Sequence, residues 1–433
     1  MATAPTREFS LKNATDLFKI EFVPRSETMY NSETVLNGRI KKTYDFVGKQ
    51  KNIETHLSFQ GGVGSGVLPV AGTARYKQAV LTAQKVYARA QVEREAIKAA
   101  STDKGAFRKA LNEVTKKTVE SFIRNDARIL FGDGTGILGK GDGNGTDVAG
   151  AGSEANPYVL TFPAAQWNEA NFEEEDLVQM VTGLDASNAG GAMEGADSVT
   201  NLLRVIDVNH ANRQVKVVGT SARLAALAGV GPLAATDGVC MQRSYLREPQ
   251  GLKGVLTPYA GVTQLYGIDI QRRWSAFTKN ANGIGPSTDM MNEVMLGVEK
   301  KCGKVPNLII QSYTQYQNVL ALLEDKKRYP IPNRNLVKGK ELVGKFGFEG
   351  VEFMSTKGAI AMVPDRFCQE DRIYFLNDNF IERCHRPDFG WFDDDGTIFM
   401  RVADSDEYEA RYGGYYENMI TPTFHGVIYG LAV

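Results

Sequence analysis

The residues best placed to do chemistry in this chain sit in contexts that argue against it. Gly132-Asp-Gly-Thr-Gly-Ile-Leu-Gly139 has the glycine density of a phosphate-binding loop. Such a loop leaves a buried strand and opens a helix, so that amide donors and the positive end of the helix dipole meet the phosphates. Here the glycines close a helical pattern, and carbonyl oxygens would face any ligand. No nucleotide is expected. Asp133, Asp142, Asn144 and Asp147 could offer oxygen ligands to calcium, but the spacing lacks the bidentate glutamate at the twelfth position of a hand-type loop. A solvated turn is the simpler reading, and the same holds for Asp393-Asp-Asp-Gly396. His56, His210, His385 and His425 are far apart and form no HExxH pattern, so neither zinc nor a triad is expected. There is no Gly-x-Ser-x-Gly elbow and no Walker sequence. The expected catalytic, cofactor-binding and metal-binding residues are therefore none, and the chain is not expected to be an enzyme.

Two further clusters have plain explanations. Glu173-Glu-Glu-Asp176 reads as a solvated helix start, where the macrodipole favours acids. Tyr408, Tyr412, Tyr415 and Tyr416 could stack bases, but aromatics on a strand pattern read first as core packing. Net charge is −1, which excludes a global basic field for gripping nucleic acid. With 42% hydrophobic and 23% charged residues, the chain has the composition of a folded soluble protein. Cys240, Cys302, Cys368 and Cys384 form no CxxC pair, which fits a reduced cytoplasmic origin. Residues 1–9 lack signal-peptide character, and no run approaches the ~20 apolar residues of a membrane helix.

The elements that must position these residues follow from periodicity. Residues 1–50 are polar with short apolar groups and predict an arm. Ile53, Thr55, Leu57 and Phe59 alternate as a half-exposed strand, and the tip from Gly61 to Gly72 is glycine-rich. Over residues 78–92 the alanines favour a helix and Val80, Val86 and Val92 a returning strand; the strand is expected, because it completes a long hairpin. Phe107, Ala110, Leu111, Val114, Val119, Phe122, Ile123 and Leu130 keep one apolar face of a helix on the order of 40 Å long. Thr102 or Asp103 suits its N-cap, and Gly132 a left-handed C′ position. Short strands then dominate, with a turn at His210-Ala-Asn-Arg213 and a mobile-looking insertion at 186–197. From Ser287, a cap, Met291, Val294, Met295, Val298 and Cys302 fall at helical spacing up to Gly303. A strand at Asn307–Gln311, a second helix, a basic loop at Lys326–Lys340 and further strands follow.

This order resembles that of the major capsid proteins of tailed bacteriophages, with the Hong Kong 97 fold; encapsulin shells are similar. The resemblance spans nearly the whole chain. Its most specific parts are Gly105-Ala-Phe-Arg-Lys-Ala-Leu111 through Asn125-Asp-Ala-Arg-Ile-Leu-Phe-Gly-Asp-Gly-Thr-Gly136, similar to the end of the family's spine helix, and Val363-Pro-Asp-Arg366 with Arg372-Ile-Tyr-Phe-Leu-Asn377, similar to the exit from its axial domain.

The resemblance implies an α+β chain. It would have an N-terminal arm (1–50), an extended E-loop hairpin (51–92), a spine helix of the peripheral domain (93–140) and a β-rich peripheral region with an inserted subdomain near Gly183–Pro249 (141–285). An axial α/β domain (286–364) and strands returning to the peripheral domain (365–433) would complete it. It also implies assembly into hexamers and pentamers of an icosahedral head around double-stranded DNA, in a virion built in the host cytoplasm. Implied partners are a separate scaffolding protein, since no scaffolding segment is evident before Ser10, a portal, a decoration protein and non-specific contact with DNA, with no membrane. An encapsulin-like compartment is the alternative, and an α/β enzyme built on Ser287–Val363 a more distant one.

Overall fold

The computed structural model describes residues 36–44, 46, 48, 50–58, 75–94, 104–195, 201–259, 261–324, 351–355, 358–386, 389–392, 399–402 and 405–433. The arm before residue 36, the candidate caps Thr102 and Asp103, the tip at 61–72, the basic loop Lys326–Lys340 and the Asp393–Asp395 turn lie outside the described residues.

The long helix runs Lys104–Phe131. It does not end as its glycine suggests. Gly132 donates to the Ile129 carbonyl at 2.9 Å, a tightened final turn, and the left-handed positions are Gly134 (φ 78°) and Gly136 (φ 79°). The correction has a local cause: Asp133 turns inward and accepts from the Thr135 amide at 3.0 Å, which moves the chain reversal two residues downstream.

The strand read over residues 78–92 is two strands. Arg75–Thr82 pairs antiparallel with Gln50–Ser58, in register Gln50↔Thr82, and makes the hairpin. Gln84–Glu93 leaves that hairpin and pairs with the 14-residue strand Glu407–Ile420. The hairpin therefore ends at Thr82 and not at Val92. The inward positions shift from Ala79 and Leu81 to Ala90 and Val92 across Ala83, and nothing in the residue types there names the new partner.

Ile137–Lys140 begins a seven-stranded sheet, in the order Ile137–Lys140, Gly238–Met241, Leu177–Thr182, Leu203–Asn209, Gln214–Gly219, Tyr158–Thr161, with Ala192–Met193 added beside Leu177–Thr182. Phe162, Trp167 and Phe172 stack at centroid spacings of 5.5–6.2 Å in a core with Leu160, Met180, Val205 and Val217. Full burial of each such aliphatic side chain contributes roughly 1.5–3 kcal/mol. This sheet unit spans Ile137–Met241. The turn at residues 210–213 is present, with Arg213 at φ 52°. The stretch at 186–195 is pinned, with Asp185 Oδ1 accepting from the Ser187 and Ala189 amides at 2.8 and 2.9 Å.

A six-stranded sheet forms the α/β unit: Phe277–Asn280, Gly426–Tyr429, Ile373–Leu376, Leu308–Gln311, Gly358–Pro364, Val351–Ser355. Its helix Thr288–Cys302 begins at Ser287, whose hydroxyl accepts from the Met290 amide at 3.2 Å, and stops at Gly303 in the left-handed conformation (φ 72°). Two of its strands come from beyond Pro364, and one, Phe277–Asn280, from before Pro286. Strand partners are chosen through backbone pairing across the chain, and nothing in the pattern around Ile373 names its neighbour. The remaining C-terminal strands, Ile381–His385, Gly390–Trp391, Phe399–Arg401 and Glu407–Ile420, join Lys41–Thr43 and Gln84–Glu93 in a second six-stranded sheet.

A Cβ added to Gly136 would lie 2.7 Å from the Ser244 carbonyl oxygen, in a left-handed backbone. Gly136→Ala should cost about 1–2 kcal/mol or more. Gly132→Ala, with a 3.1 Å contact and no positive φ, should cost less. Urea denaturation of both variants checks the order.

Candidate assembly framework

Four charged side chains at the end of the long helix join the surrounding units. Arg124 and Arg128 lie four residues apart on one face, and Asp126, about 200° round the helix, points the other way. Like charges at this spacing are unfavourable unless each is met by an acid. Arg124 sets Nη2 on Asp176 (2.9 and 2.7 Å) and Nη1 on Glu173 (2.7 Å). Arg128 forks onto Glu248 at 2.5 and 3.3 Å. On the opposite side, Asp126 accepts from Arg383 (2.7 Å) and Asn37 (3.0 Å) through Oδ2, and from the Tyr416 hydroxyl (2.6 Å) through Oδ1. Arg383 lies over the Tyr416 ring at 4.9 Å and donates to Asn418 at 3.1 Å.

The glycine-rich turn adds a fourth tie. Asp133 is buried and accepts from Lys253 (3.1 Å), Tyr259 (2.7 Å) and Thr135. Burial alone would raise its pKa, but the Lys253 charge and these hydrogen bonds outweigh that and hold the carboxyl well below its usual range. Burial acts to lower the Lys253 pKa, yet the charge of Asp133 leaves it raised. Tyr259, pushed up to about 12 by burial, accepts from Asn188 at 2.8 Å, and Asn188 in turn receives Lys140 at 3.0 Å. One network therefore runs from the helix end into the seven-stranded unit.

Several readings from the sequence change here. Asp133 is no solvated turn residue, whereas Asp142, Asn144 and Asp147 are exposed, and Asp142 caps its own turn on the Asn144 amide at 2.8 Å. Glu173–Asp176 starts no helix: Asp176 is buried and Glu173 half-buried beside Arg124, because a guanidinium taken out of water requires an acidic partner. Tyr416 is fully buried, Tyr412 packs edge-on against Phe122 at 5.1 Å, and Tyr415 lies on the opposite face of the strand. The three histidines with described side chains do not converge. His210 is exposed and pairs with Glu169 at 2.7 Å, His385 is buried among Tyr44, Phe389 and Tyr416, and His425 is buried where its Nδ1 accepts from the Asn377 amide at 3.2 Å. Among the described residues no group of acids, histidines and cysteines is placed to hold a metal ion. No described helix is long and apolar enough to cross a membrane. The charges that matter most were missed. Their signal was available: Arg124, Asp126 and Arg128 interrupt an apolar run, Phe122 to Phe131, that ends in the core.

On the α/β unit, a cavity of about 150 Å³ lies between the helix Thr288–Cys302 and the strand Val351–Ser355, lined by Met295, Leu296, Glu299, Phe353 and Met354. It offers one titratable side chain, Glu299.

No protein-family model and no curated protein matches the sequence. Solved structures do. A chain of the cyanophage A-1(L) capsid asymmetric unit aligns over 98% of this chain and 100% of its own, at 11% identity and a TM-score of 0.51. The fold is the Hong Kong 97-type capsid fold. Other alignments include the SrpI encapsulin complex of Synechococcus elongatus (8% identity, 98% and 95% covered, TM-score 0.42) and the capsid of a native GTA particle (6%, 98% and 100%, 0.44).

Two outcomes follow for this capsid-fold chain. Asp126→Ala strands Arg383 and the Tyr416 hydroxyl in the interior and should destabilise by about 3–5 kcal/mol, read from urea midpoints. The second concerns pH. Burial raises Glu417 to about 8 and Asp365 to about 6, so both acids favour the folded state fully below their unfolded pKa values. That stability is lost as pH rises, through about 8 for Glu417. Burial lowers His425 to about 3, so its contribution is present above its unfolded pKa and lost as pH falls through that value. Glu417→Gln should therefore flatten the decline in urea midpoint between pH 5 and 8. An unchanged slope counts against a proton on Glu417.

Proposed function

We propose that this chain is the major capsid protein of a tailed phage, a non-catalytic subunit that builds hexamers and pentamers of an icosahedral head around double-stranded DNA. The carrying observation is the end-to-end alignment with a capsid subunit at a TM-score of 0.51. The architecture supports it. A subunit that closes at two local symmetries must present different surfaces to its neighbours, and an extended hairpin enlarges contact area without a larger core. The buried charge ties suit a body that holds such an element at a fixed angle. A net charge of −1 suits a wall that contains DNA without gripping it. On this reading the protein resides in the virion, with a separate scaffolding protein, a portal and a decoration protein as partners.

Electron microscopy in negative stain of the purified chain, alone and with a co-expressed scaffolding protein, tests the proposal. Uniform closed shells or ring-shaped capsomers are expected. A monodisperse monomer under both conditions, at every concentration and salt, would overturn it.

A further inference from the structure

One face of the strand pair Gln84–Glu93 and Glu407–Ile420 carries two tyrosines that the assembly reading does not use. Tyr87 lies opposite Gly413 and Tyr415 opposite Lys85, so the two aromatics are diagonal neighbours on adjacent antiparallel strands. Tyr87 donates to the Tyr415 hydroxyl at 3.2 Å. The rings meet edge to face, with centroids 6.1 Å apart and planes at 88°. Gly413 makes this approach possible: a Cβ there would lie 3.0 Å from Cδ1 of Tyr87 and 2.3 Å from the Val86 carbonyl oxygen.

The surroundings hold the pair in place while leaving it open to water. Phe392 packs on Tyr87 at 5.7 Å and on Tyr415 at 6.2 Å. Lys85 sits over the Tyr415 ring at 5.7 Å, and Arg411 and Arg89 share Glu409 on the same face. Tyr87 is 43% exposed, so a small oxidant or an electron-accepting enzyme can reach it.

We propose that Tyr87 and Tyr415 form a site of oxidative tyrosine coupling that joins the two strands covalently. The hydroxyl contact brings the ring carbons beside the two oxygens near one another, and rotation of one ring from its edge-to-face setting would bring them edge to edge, where phenoxyl radicals couple. Each phenol gives up one electron and one proton, and the two radicals form one carbon–carbon bond between ortho positions. The ortho hydrogens then move to oxygen and restore both phenols. The net change is loss of two protons and two electrons, accepted by one peroxide molecule that becomes two waters, with a haem peroxidase as the electron carrier. The bond would tie the strand that leaves the hairpin to the long C-terminal strand, 328 residues away in sequence.

The site is independent of shell formation and is tested on the dilute, purified full-length chain. Peroxidase and hydrogen peroxide should generate blue dityrosine fluorescence and a monomeric product lighter by two hydrogens. Its cross-linked peptide should contain Tyr87 and Tyr415, and the product should unfold at higher urea than the untreated chain. Tyr87→Phe and Tyr415→Phe should each reduce the fluorescence to background, whereas Tyr76→Phe, at another exposed tyrosine, should leave it unchanged. No coupling in the wild type, fluorescence that survives Tyr87→Phe, or cross-linked peptides from other tyrosines would each overturn the proposal.

Discussion

Charge taken out of water at the end of one helix constrains the rest of this molecule. An unpaired ion in a protein interior costs several kcal/mol, so each of Arg124, Asp126, Arg128 and Asp133 requires a partner of the right sign at the right angle. The partners come from separate parts of the chain: Asp176 from the seven-stranded unit, Arg383 and Tyr416 from the C-terminal sheet, and Glu248 and Lys253 from the connection between them. A hydrophobic contact tolerates sliding. A forked guanidinium on a carboxylate does not. The spine helix thereby fixes how the units sit around it, which apolar burial alone would leave looser.

That division of labour is consistent with the shell reading. The apolar cores supply the bulk of the folding energy, one around Leu160, Met180 and Val217 in the seven-stranded unit and another around Val294, Ile309 and Phe375 in the α/β unit. The ion pairs supply orientation. The hairpin Gln50–Ser58 with Arg75–Thr82 contributes little apolar mass of its own, and it is anchored near its root by Ala79 and Leu81, both fully buried. Lys77 on Asp269 at 2.7 Å and the Val80 amide on the Tyr266 carbonyl at 2.9 Å tie it further to the body.

The glycine-rich turn after the helix shows how one motif can carry a different task from the one its composition suggests. Its glycines serve the chain reversal at Gly134 and Gly136 and the close approach of the Ser244 backbone, while its aspartate closes an internal network.

What the sequence determined by itself was local. Ser287 and Gly303 bound their helix as written, because a cap and a left-handed glycine act over three or four residues. The turn between Leu203–Asn209 and Gln214–Gly219 and the buried strand at Leu308–Gln311 were legible for the same reason. Only the tertiary structure decided the partners. It split the strand after Thr82, drew Ile373–Leu376 into the α/β sheet, and turned Glu173 and Asp176 from a solvated pair into the counter-charge of Arg124. Backbone groups pair without regard to side-chain identity, and a charge shows its need for a partner only once burial removes the water that would have satisfied it.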